Sequence, residues 1–286
     1  MRLLRLGPAG NERPAVLDRG GAVYDAGAVA GEDFGRRFFA DGGLERLGAA
    51  LERGELPLLD PRGQRVGPPV IRPGKVICVG LNYADHAEES GMELPDEPII
   101  FFKAPNTVVG PHDDVLLPIA GHKTDWEIEL AVVIGAPSRY LEDEATAEGV
   151  IAGYCISNDV SERAFQLERG GQWVKGKSCE TFNPLGPWLV TPDEVKDVAS
   201  LTLQLHLNGE RVQHGSTSRL AFGVPYLVWY LSQFMVLEPG DIINTGTPAG
   251  VGMGLDPPRY LREGDVMELS IDGLGFQRQV CRHATR

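Results

Sequence analysis

Three acidic residues, Glu127, Glu129 and Asp159, have the types and spacing of a metal site. Two of them lie in the segment DWEIELAVVIG, which is rich in β-branched residues and ends at Gly135 and Pro137, as a strand would. Because side chains alternate faces along a strand, both glutamates should point to one side. Asp159 ends a second apolar run and could complete a cluster of three carboxylates. Such an all-oxygen set selects a hard cation such as Mg²⁺ or Mn²⁺ over zinc.

The alternative is three solvated acids on the surface of an acidic protein. A surface strand normally keeps only one face apolar, whereas apolar residues follow Glu129 without alternation as far as Ile134. This run predicts a strand that is buried on both faces, and acids at the end of a buried strand need partners. The pattern therefore favours a metal site over solvated acids.

The composition limits the classes of function. The chain has 286 residues, is 42% hydrophobic and 23% charged, and carries a formal net charge of −13. An acidic surface repels nucleic acid and anionic membranes, so neither is an expected partner. No apolar run is long enough to span a membrane, and the first residues do not resemble a signal peptide. The four cysteines are widely spaced and form no C-x-x-C motif, so we expect reduced thiols and a cytoplasmic protein.

The character of the chain changes near residue 70. Residues 1–70 are predicted to form a small N-terminal α+β unit, with short strands and an amphipathic helix at LERLGAALERG. Residues 71–286 contain many apolar strand-like segments and few helices, among them GVPYLVWYLSQFM, which is apolar on nearly every side. Regular βαβ alternation and a phosphate-binding glycine motif are both missing from the sequence. The pattern therefore predicts a strand-rich α+β fold rather than a nucleotide-binding fold.

Six motifs taken together resemble the fumarylacetoacetate hydrolase family. In chain order they are VGLNYADHAEE, PIIFFKAP, DWEIELAVVIG, SNDVSERAFQ, GKSCETFNPLGPWLVT and INTGTPAGVG. The resemblance covers most of the predicted second unit, residues 71–286. It implies a mixed β-sandwich roll, a homodimer and a bound Mg²⁺ or Mn²⁺ ion, with Ca²⁺ able to take their place in a crystal.

The resemblance also implies an enzyme that acts on small 2-oxo or dicarbonyl acids. The first expectation is metal-dependent hydrolysis of a C–C bond in a 2,4-dioxo acid, of the acylpyruvate or diketo-deoxy sugar type, through a metal-bound enolate. One alternative is a lyase that uses the same site, either on ureidoglycolate or to decarboxylate a β-keto diacid. The other alternative is a catalytically silent protein that binds a metabolite.

Residue by residue, the resemblance assigns roles within this chain. It places metal ligands at Glu127, Glu129 and Asp159, catalytic residues at His86, Glu89 and Lys177, and substrate contacts at Gln166 and Thr247. Tyr83, in the first motif, and Arg163 are two further expected substrate-binding residues.

The chemistry of His86 and Glu89 also follows from their spacing. They are three residues apart and share a face if ADHAEE is helical. A carboxylate there can hold the imidazole in one tautomer, which leaves the other nitrogen to take a proton from water. Judged on the residues alone, the sequence is equally compatible with an ion pair on a polar surface loop. Residues 82–98 are polar and carry His86, so we expect a lid that orders over a bound ligand, with a plain surface loop as the alternative.

Positive charge near the site is expected from the metal and from some of Lys103, Arg163, Lys175 and Lys177. Arg163 and Gln166 follow Asp159 by four and seven residues, so a helix that begins after Asp159 would return both to the metal. An exposed helical turn is the alternative. Lys177, in KGKS, would stabilise a developing oxyanion, and a solvent-exposed lysine is its alternative.

Overall fold

The computed structural model describes residues 1–89, 91 and 93–286, and strands dominate this part of the chain. The strands are β1 (Arg2–Leu6), β2 (Arg13–Leu17), β3 (Val23–Asp25), β4 (Val66–Gly67), β5 (Val76–Gly80), β6 (Ile99–Lys103), β7 (Val108–Val109), β8 (Val115–Leu117), β9 (Thr124–Asp125), β10 (Ile128–Ile134), β11 (Ile151–Asn158), β12 (Ser161–Glu162), β13 (Asn183–Val190), β14 (Thr202–Leu207), β15 (Glu210–Ser216), β16 (Ile242–Asn244), β17 (Val266–Ile271) and β18 (Gly275–His283). The helices are α1 (Gly27–Ala30), α2 (Arg36–Ala40), α3 (Gly43–Glu52), α4 (Ala84–Glu89), α5 (Glu144–Glu148), α6 (Arg163–Leu167), α7 (Val174–Lys177) and α8 (Val224–Ser232). Among the described helices, none combines the length and apolar character needed to cross a membrane.

One large mixed sheet runs through the molecule in the order β3-β2-β1-β13-β11-β10-β16-β5-β6. Most neighbouring strands are antiparallel, whereas β16 and β5 pair in parallel. A second sheet has the order β15-β14-β17-β18-β8, and β9 pairs with β12 in a short ribbon. Few helices and large mixed sheets confirm the prediction of a strand-rich α+β fold.

Strand β10 is buried on both faces, as its unbroken apolar run predicts. Leu130 and Val132 belong to a core shared with β14, β17 and α8. Ala131 and Val133 belong to a second core on the opposite face. Because side chains alternate, Glu129 lies on the face of Ala131 and Val133, at the end where the strand begins.

The N-terminal residues extend the same framework. Strand β1 pairs with β13 through Arg2↔Val190 and Leu3↔Leu189. Phe34, from the N-terminal segment, lies in the same core as the β10 residues Ala131 and Val133. Hydrogen bonds and packing thus cross the boundary near residue 70, and the division into two domains stays a prediction.

Helix α8 corresponds to the segment GVPYLVWYLSQFM, and although this segment is apolar on nearly every side, only one side of the helix is buried. Leu227 and Leu231 are fully buried in the core. Tyr226 and Tyr230 are half-buried and stack at 5.9 Å on the outer side of the helix. Phe234, just beyond the helix, is 63% exposed. The core covers one side of α8, and aromatic rings occupy the other.

Candidate active site

Antiparallel pairing of β10 with β11 brings the three predicted acids together. Ile128 pairs with Asn158, and the Asp159 backbone N–H donates to the Glu127 carbonyl at 2.9 Å. One carboxylate oxygen from each of Glu127, Glu129 and Asp159 lies within 4.8 Å of the others, and all three side chains are buried. The two strands therefore produce the convergence expected from the spacing of the glutamates.

Buried cations neutralise two of these acids. Lys177 Nζ lies 2.7 Å from Glu127 Oε2 and 2.7 Å from Asp159 Oδ2. Arg163 Nη2 lies 2.7 Å from Glu127 Oε1. Lys103, at the end of β6, pairs with Asp159 and donates to the Val160 carbonyl at 3.1 Å. Burial raises the pKa of Glu127, but the charges of Lys177 and Arg163 outweigh it and hold this pKa well below its usual range.

Glu129 has different surroundings. Its Oε2 accepts a hydrogen bond from the Gly246 N–H at 2.8 Å. Within residues 1–89, 91 and 93–286, no lysine or arginine nitrogen lies at salt-bridge distance from this carboxylate. Burial and the negative charges of Asp159 and Glu127 raise the pKa of Glu129 well above its usual range. A cation that reached Glu129 would therefore relieve repulsion among buried like charges.

The three carboxylates fit a hard divalent ion. They supply only oxygen atoms, they converge, and in the described part of the chain Glu129 has no fixed counter-charge. Mg²⁺ and Mn²⁺ prefer such ligands, and three protein oxygens leave part of an octahedral shell open. Glu127, Glu129 and Asp159 are thus the residues that would hold the ion.

A fourth acid, Asp125, was not among the predicted site residues. Its carboxylate accepts hydrogen bonds from the backbone N–H groups of Gly252 at 2.7 Å and Met253 at 3.0 Å. It also pairs with Arg163 at 2.9 Å, so it holds the guanidinium that contacts Glu127. The signal was present in the sequence, because Asp125 precedes Glu127 by two residues and continues the same alternation.

His86 and Glu89 share one face of α4. Their separation is 3.5 Å, measured from His86 Nδ1 to Glu89 Oε2. Glu89 is itself held by the Gly250 N–H at 2.9 Å. The loop must pass close here, since a Cβ added at Gly254 would come within 2.4 Å of the Glu89 carboxyl carbon. His86 is buried and lines the same cavity as Glu127 and Glu129.

Of the four predicted substrate-binding residues, three line the cavity and Tyr83 does not. Arg163, Gln166 and Thr247 line the cavity. Gln166 Oε1 accepts from Arg163 Nη1 at 3.1 Å, which leaves its amide nitrogen to act as a donor. The Thr247 hydroxyl donates to the Ile128 carbonyl at 2.8 Å, so its proton is already used.

Tyr83 lies outside the cavity wall. Its ring is fully buried, and within the described part of the chain its hydroxyl has no hydrogen-bond partner. Burial and the charge of Glu129 raise the pKa of Tyr83 above its usual range. Contact between Tyr83 and substrate therefore stays a prediction.

The expected lid is only partly described. Ser90 and Met92 fall within residues 82–98 and lie outside the described residues. At the start of the segment, Asn82 Nδ2 donates to the Thr245 carbonyl at 2.8 Å and anchors the chain. Closure of a lid over the ligand stays a prediction.

The family model described as fumarylacetoacetate (FAA) hydrolase, C-terminal, matches residues 75–282. A protein of Burkholderia multivorans, which carries no more specific name than hydrolase, is 51% identical over 285 residues, or 99% of this chain and 100% of the relative.

Two solved structures each cover the whole of this chain and are covered entirely by it. Maleylpyruvate hydrolase from Sphingobium sp. SYK-6, in complex with manganese(II) and pyruvate, is 30% identical with a TM-score of 0.82. The 5-carboxymethyl-2-hydroxymuconate delta-isomerase from Mycobacterium smegmatis is 31% identical with a TM-score of 0.77. On these grounds the chain belongs to the fumarylacetoacetate hydrolase family.

Proposed function

We propose that this protein is a divalent-metal-dependent hydrolase that cleaves a C–C bond in an acylpyruvate-type 2,4-dioxo acid. The observation that carries the proposal is that His86, which contacts Glu89, lines one cavity with Glu127 and Glu129, the two glutamates that converge with Asp159. The similarity to a maleylpyruvate hydrolase with bound manganese and pyruvate supports the same class of substrate. When bound, Mg²⁺ or Mn²⁺ would supply Lewis-acid polarisation of the substrate oxygens.

His86 is the general base in this proposal. Glu89 lies beside Nδ1 and favours a proton on that nitrogen, which leaves Nε2 to accept a proton from water. The water oxygen then forms a bond to the distal carbonyl carbon of the substrate. The bond between that carbon and the methylene carbon on the side of the 2-oxo group breaks, and its electron pair passes to the departing pyruvate fragment. A proton returned by His86 completes pyruvate and a carboxylic acid.

Lys177 and Arg163 supply positive charge to the same reaction. Both are buried and both contact Glu127, so they are held at the end of the cavity where the dicarbonyl group would bind. Negative charge that develops on substrate oxygens is stabilised there without reorganisation of solvent. Gln166 would orient the substrate through the amide nitrogen that Arg163 leaves free.

An isomerase is the second candidate, and the similarity to a delta-isomerase favours it. The same imidazole would remove a proton from one carbon of an unsaturated 2-oxo acid and return it to another carbon. No water is consumed and no bond between carbons is broken. The two reactions therefore differ in their products, although they use the same base.

Product analysis tests the proposal. Acetylpyruvate incubated with the protein and Mg²⁺ or Mn²⁺ should yield equal amounts of pyruvate and acetate, and EDTA should stop the reaction. A change in the absorbance of the substrate without a change in its mass would favour the isomerase. Carbon dioxide released from a β-keto diacid, or glyoxylate released from ureidoglycolate, would indicate a lyase. Binding without turnover of any of these acids would indicate a metabolite-binding protein.

A homodimer is also proposed. Half-buried Tyr226 and Tyr230 and exposed Phe234 form an aromatic strip along α8, which a second copy of the chain would cover. Multi-angle light scattering at micromolar concentration should report twice the chain mass of 31.0 kDa. A monomer at that concentration would contradict the proposal.

A further inference from the structure

The cavity beside the carboxylates is lined partly by apolar side chains. We call this lining the apolar wall and define it by the side chains of Leu81, Phe101, Leu167, Trp173 and Met253. None of these residues has a role in the proposed reaction. A substrate whose dicarbonyl group lies at the acids must place the remainder of its chain somewhere in the same cavity, and this wall is the surface available to it.

The apolar wall adjoins the charged cluster. Lys177 Nζ, which contacts Glu127, lies 5.0 Å from the centroid of the Phe101 ring. The Phe101 ring meets Trp173 edge-on, with 5.3 Å between centroids. The Trp173 ring in turn lies against Gly80, where an added Cβ would come within 2.8 Å of the indole. These contacts give the wall a fixed shape.

Leu81 occupies an unusual backbone conformation in this wall. Its φ of 52° lies in the left-handed region, which costs free energy for any residue with a Cβ. Strained positions of this kind cluster at ligand sites, where the surrounding structure maintains them. Here Leu81 follows Gly80 in the chain and lines the same cavity as Trp173.

Within the described residues, the basic side chains that line the cavity are Arg163, Lys177 and the proposed base His86. Among the described lining residues, the lysine and arginine side chains are Arg163 and Lys177, and both contact Glu127. A second carboxylate at the far end of a substrate would lie against the apolar wall without a counter-charge. Burying an unpaired carboxylate is strongly unfavourable, whereas burying an alkyl or aryl group is favourable.

We propose that the preferred substrates carry an uncharged, apolar tail, and that Leu81 and Trp173 determine this specificity. The inference rests on the proposed function for the identity of the reacting group, and it concerns the opposite end of the substrate. It sets this chain apart from a hydrolase of maleylpyruvate, which has a carboxylate at each end.

A matched pair of substrates tests the inference. Butanoylpyruvate and succinylpyruvate have acyl groups of equal carbon number and differ in a terminal methyl against a terminal carboxylate. We expect kcat/KM to be about tenfold or more higher for butanoylpyruvate, with most of the difference in KM. Equal values, or a preference for succinylpyruvate, would overturn the inference.

Two variants locate the determinant. Leu81→Lys should raise kcat/KM for succinylpyruvate and lower it for butanoylpyruvate, because it adds a cation to the apolar wall. Leu58→Lys, at a leucine that is 75% exposed, is the matched control and should leave the ratio unchanged. Trp173→Ala should weaken turnover of benzoylpyruvate more than turnover of acetylpyruvate. If neither wall variant changes these ratios while circular dichroism shows intact folding, the wall is not the determinant.

Binding measurements test this inference independently of the proposed reaction. If no acylpyruvate is cleaved, the proposed function fails, and calorimetry with Mg²⁺ can still compare 2-oxohexanoate with 2-oxoadipate. These acids have the same chain length and differ by a terminal carboxylate. Tighter binding of 2-oxohexanoate would uphold the apolar-tail inference without the hydrolase. Equal or tighter binding of 2-oxoadipate would overturn it.

Discussion

Two buried ionic clusters in this protein use similar residues and differ in how the acids are paired. In the N-terminal part, Arg5 contacts Asp33 at 2.7 Å and Glu12 at 3.0 Å, and Arg65 contacts Glu12 at 2.7 Å. Arg65 also pairs with Asp113. Each acid of this N-terminal cluster therefore meets an arginine directly.

The active-site cluster leaves one acid without such a contact. Glu127 and Asp159 meet lysine or arginine, whereas Glu129 meets a backbone N–H and two like charges. Burial raises the pKa of Glu12, but the hydrogen bond from Arg65 and the charge of Arg5 bring it below its usual value. The pKa of Glu129 moves in the opposite direction. Among the described residues, the active-site cluster thus holds one buried carboxylate without a fixed cation, and a divalent ion shared with Glu127 and Asp159 would supply the missing positive charge.

The largest effect should come from Glu129→Gln. Loss of the acid without a counter-charge should lower affinity for Mg²⁺ and Mn²⁺ by more than about a hundredfold and abolish metal-dependent turnover. The apo protein should be at least as stable, because repulsion among buried acids is relieved. Metal titration by calorimetry and thermal unfolding measure the two quantities. Glu12→Gln is the control. An unchanged metal affinity in Glu129→Gln would contradict the contrast drawn between the two clusters.

The next largest effect should come from His86→Ala. Removal of the general base should reduce kcat by roughly a hundred- to ten-thousand-fold. Affinity for Mg²⁺ should stay close to wild type, because the imidazole is not one of the proposed ligands. Steady-state kinetics with saturating metal measures the loss. Turnover within a few-fold of wild type would place the base elsewhere.

Arg5→Gln should affect stability rather than function. It leaves Asp33 without its arginine and Glu12 with only Arg65, so the free energy of unfolding should fall by about 3–5 kcal/mol. Urea denaturation measures this change. Metal affinity of the folded variant should equal that of the wild type. A lowered metal affinity would show that the two clusters are coupled.

Asp125→Asn should have a smaller effect on the site. The amide keeps the shape of the side chain but removes the charge that holds Arg163, so kcat/KM should fall about ten- to a hundredfold. Metal affinity should change by less than in Glu129→Gln. If the two variants lose metal equally, Asp125 would count as a ligand and not as a positioning residue.

The smallest effect concerns acid pH. The pKa of Glu12 is lower in the folded protein than its usual value of 4.5, so its contribution to stability is present above that pH. The contribution is lost as the pH falls through the folded-state pKa. The free energy of unfolding of the Glu12→Gln variant should therefore change less than that of the wild type between neutral pH and pH values below 4.5. An equal pH dependence of the free energy of unfolding in the two proteins would contradict this expectation.

Much of the site was predictable because it rests on local periodicity. Glu127 and Glu129 had to share a face once DWEIELAVVIG formed a strand, and the unbroken apolar run required burial on both faces. His86 and Glu89 had to be neighbours once ADHAEE formed a helix. The surroundings of Tyr83 and the outer side of α8 were less predictable, because burial depends on which elements pack nearby.

The sequence by itself determined the strand-rich class of the fold, the shared face of the two glutamates and the spacing of the proposed base and its carboxylate. Only the tertiary structure decided that Lys103, Lys177 and Arg163 neutralise some acids and that, among the residues it describes, Glu129 has no cation beside it. It also decided that Phe101, Trp173 and Gly80 meet in one wall. The physical reason is that local periodicity orients side chains within one element. Charge balance and cavity shape arise between elements that are far apart in the chain and are joined by strand pairing and packing.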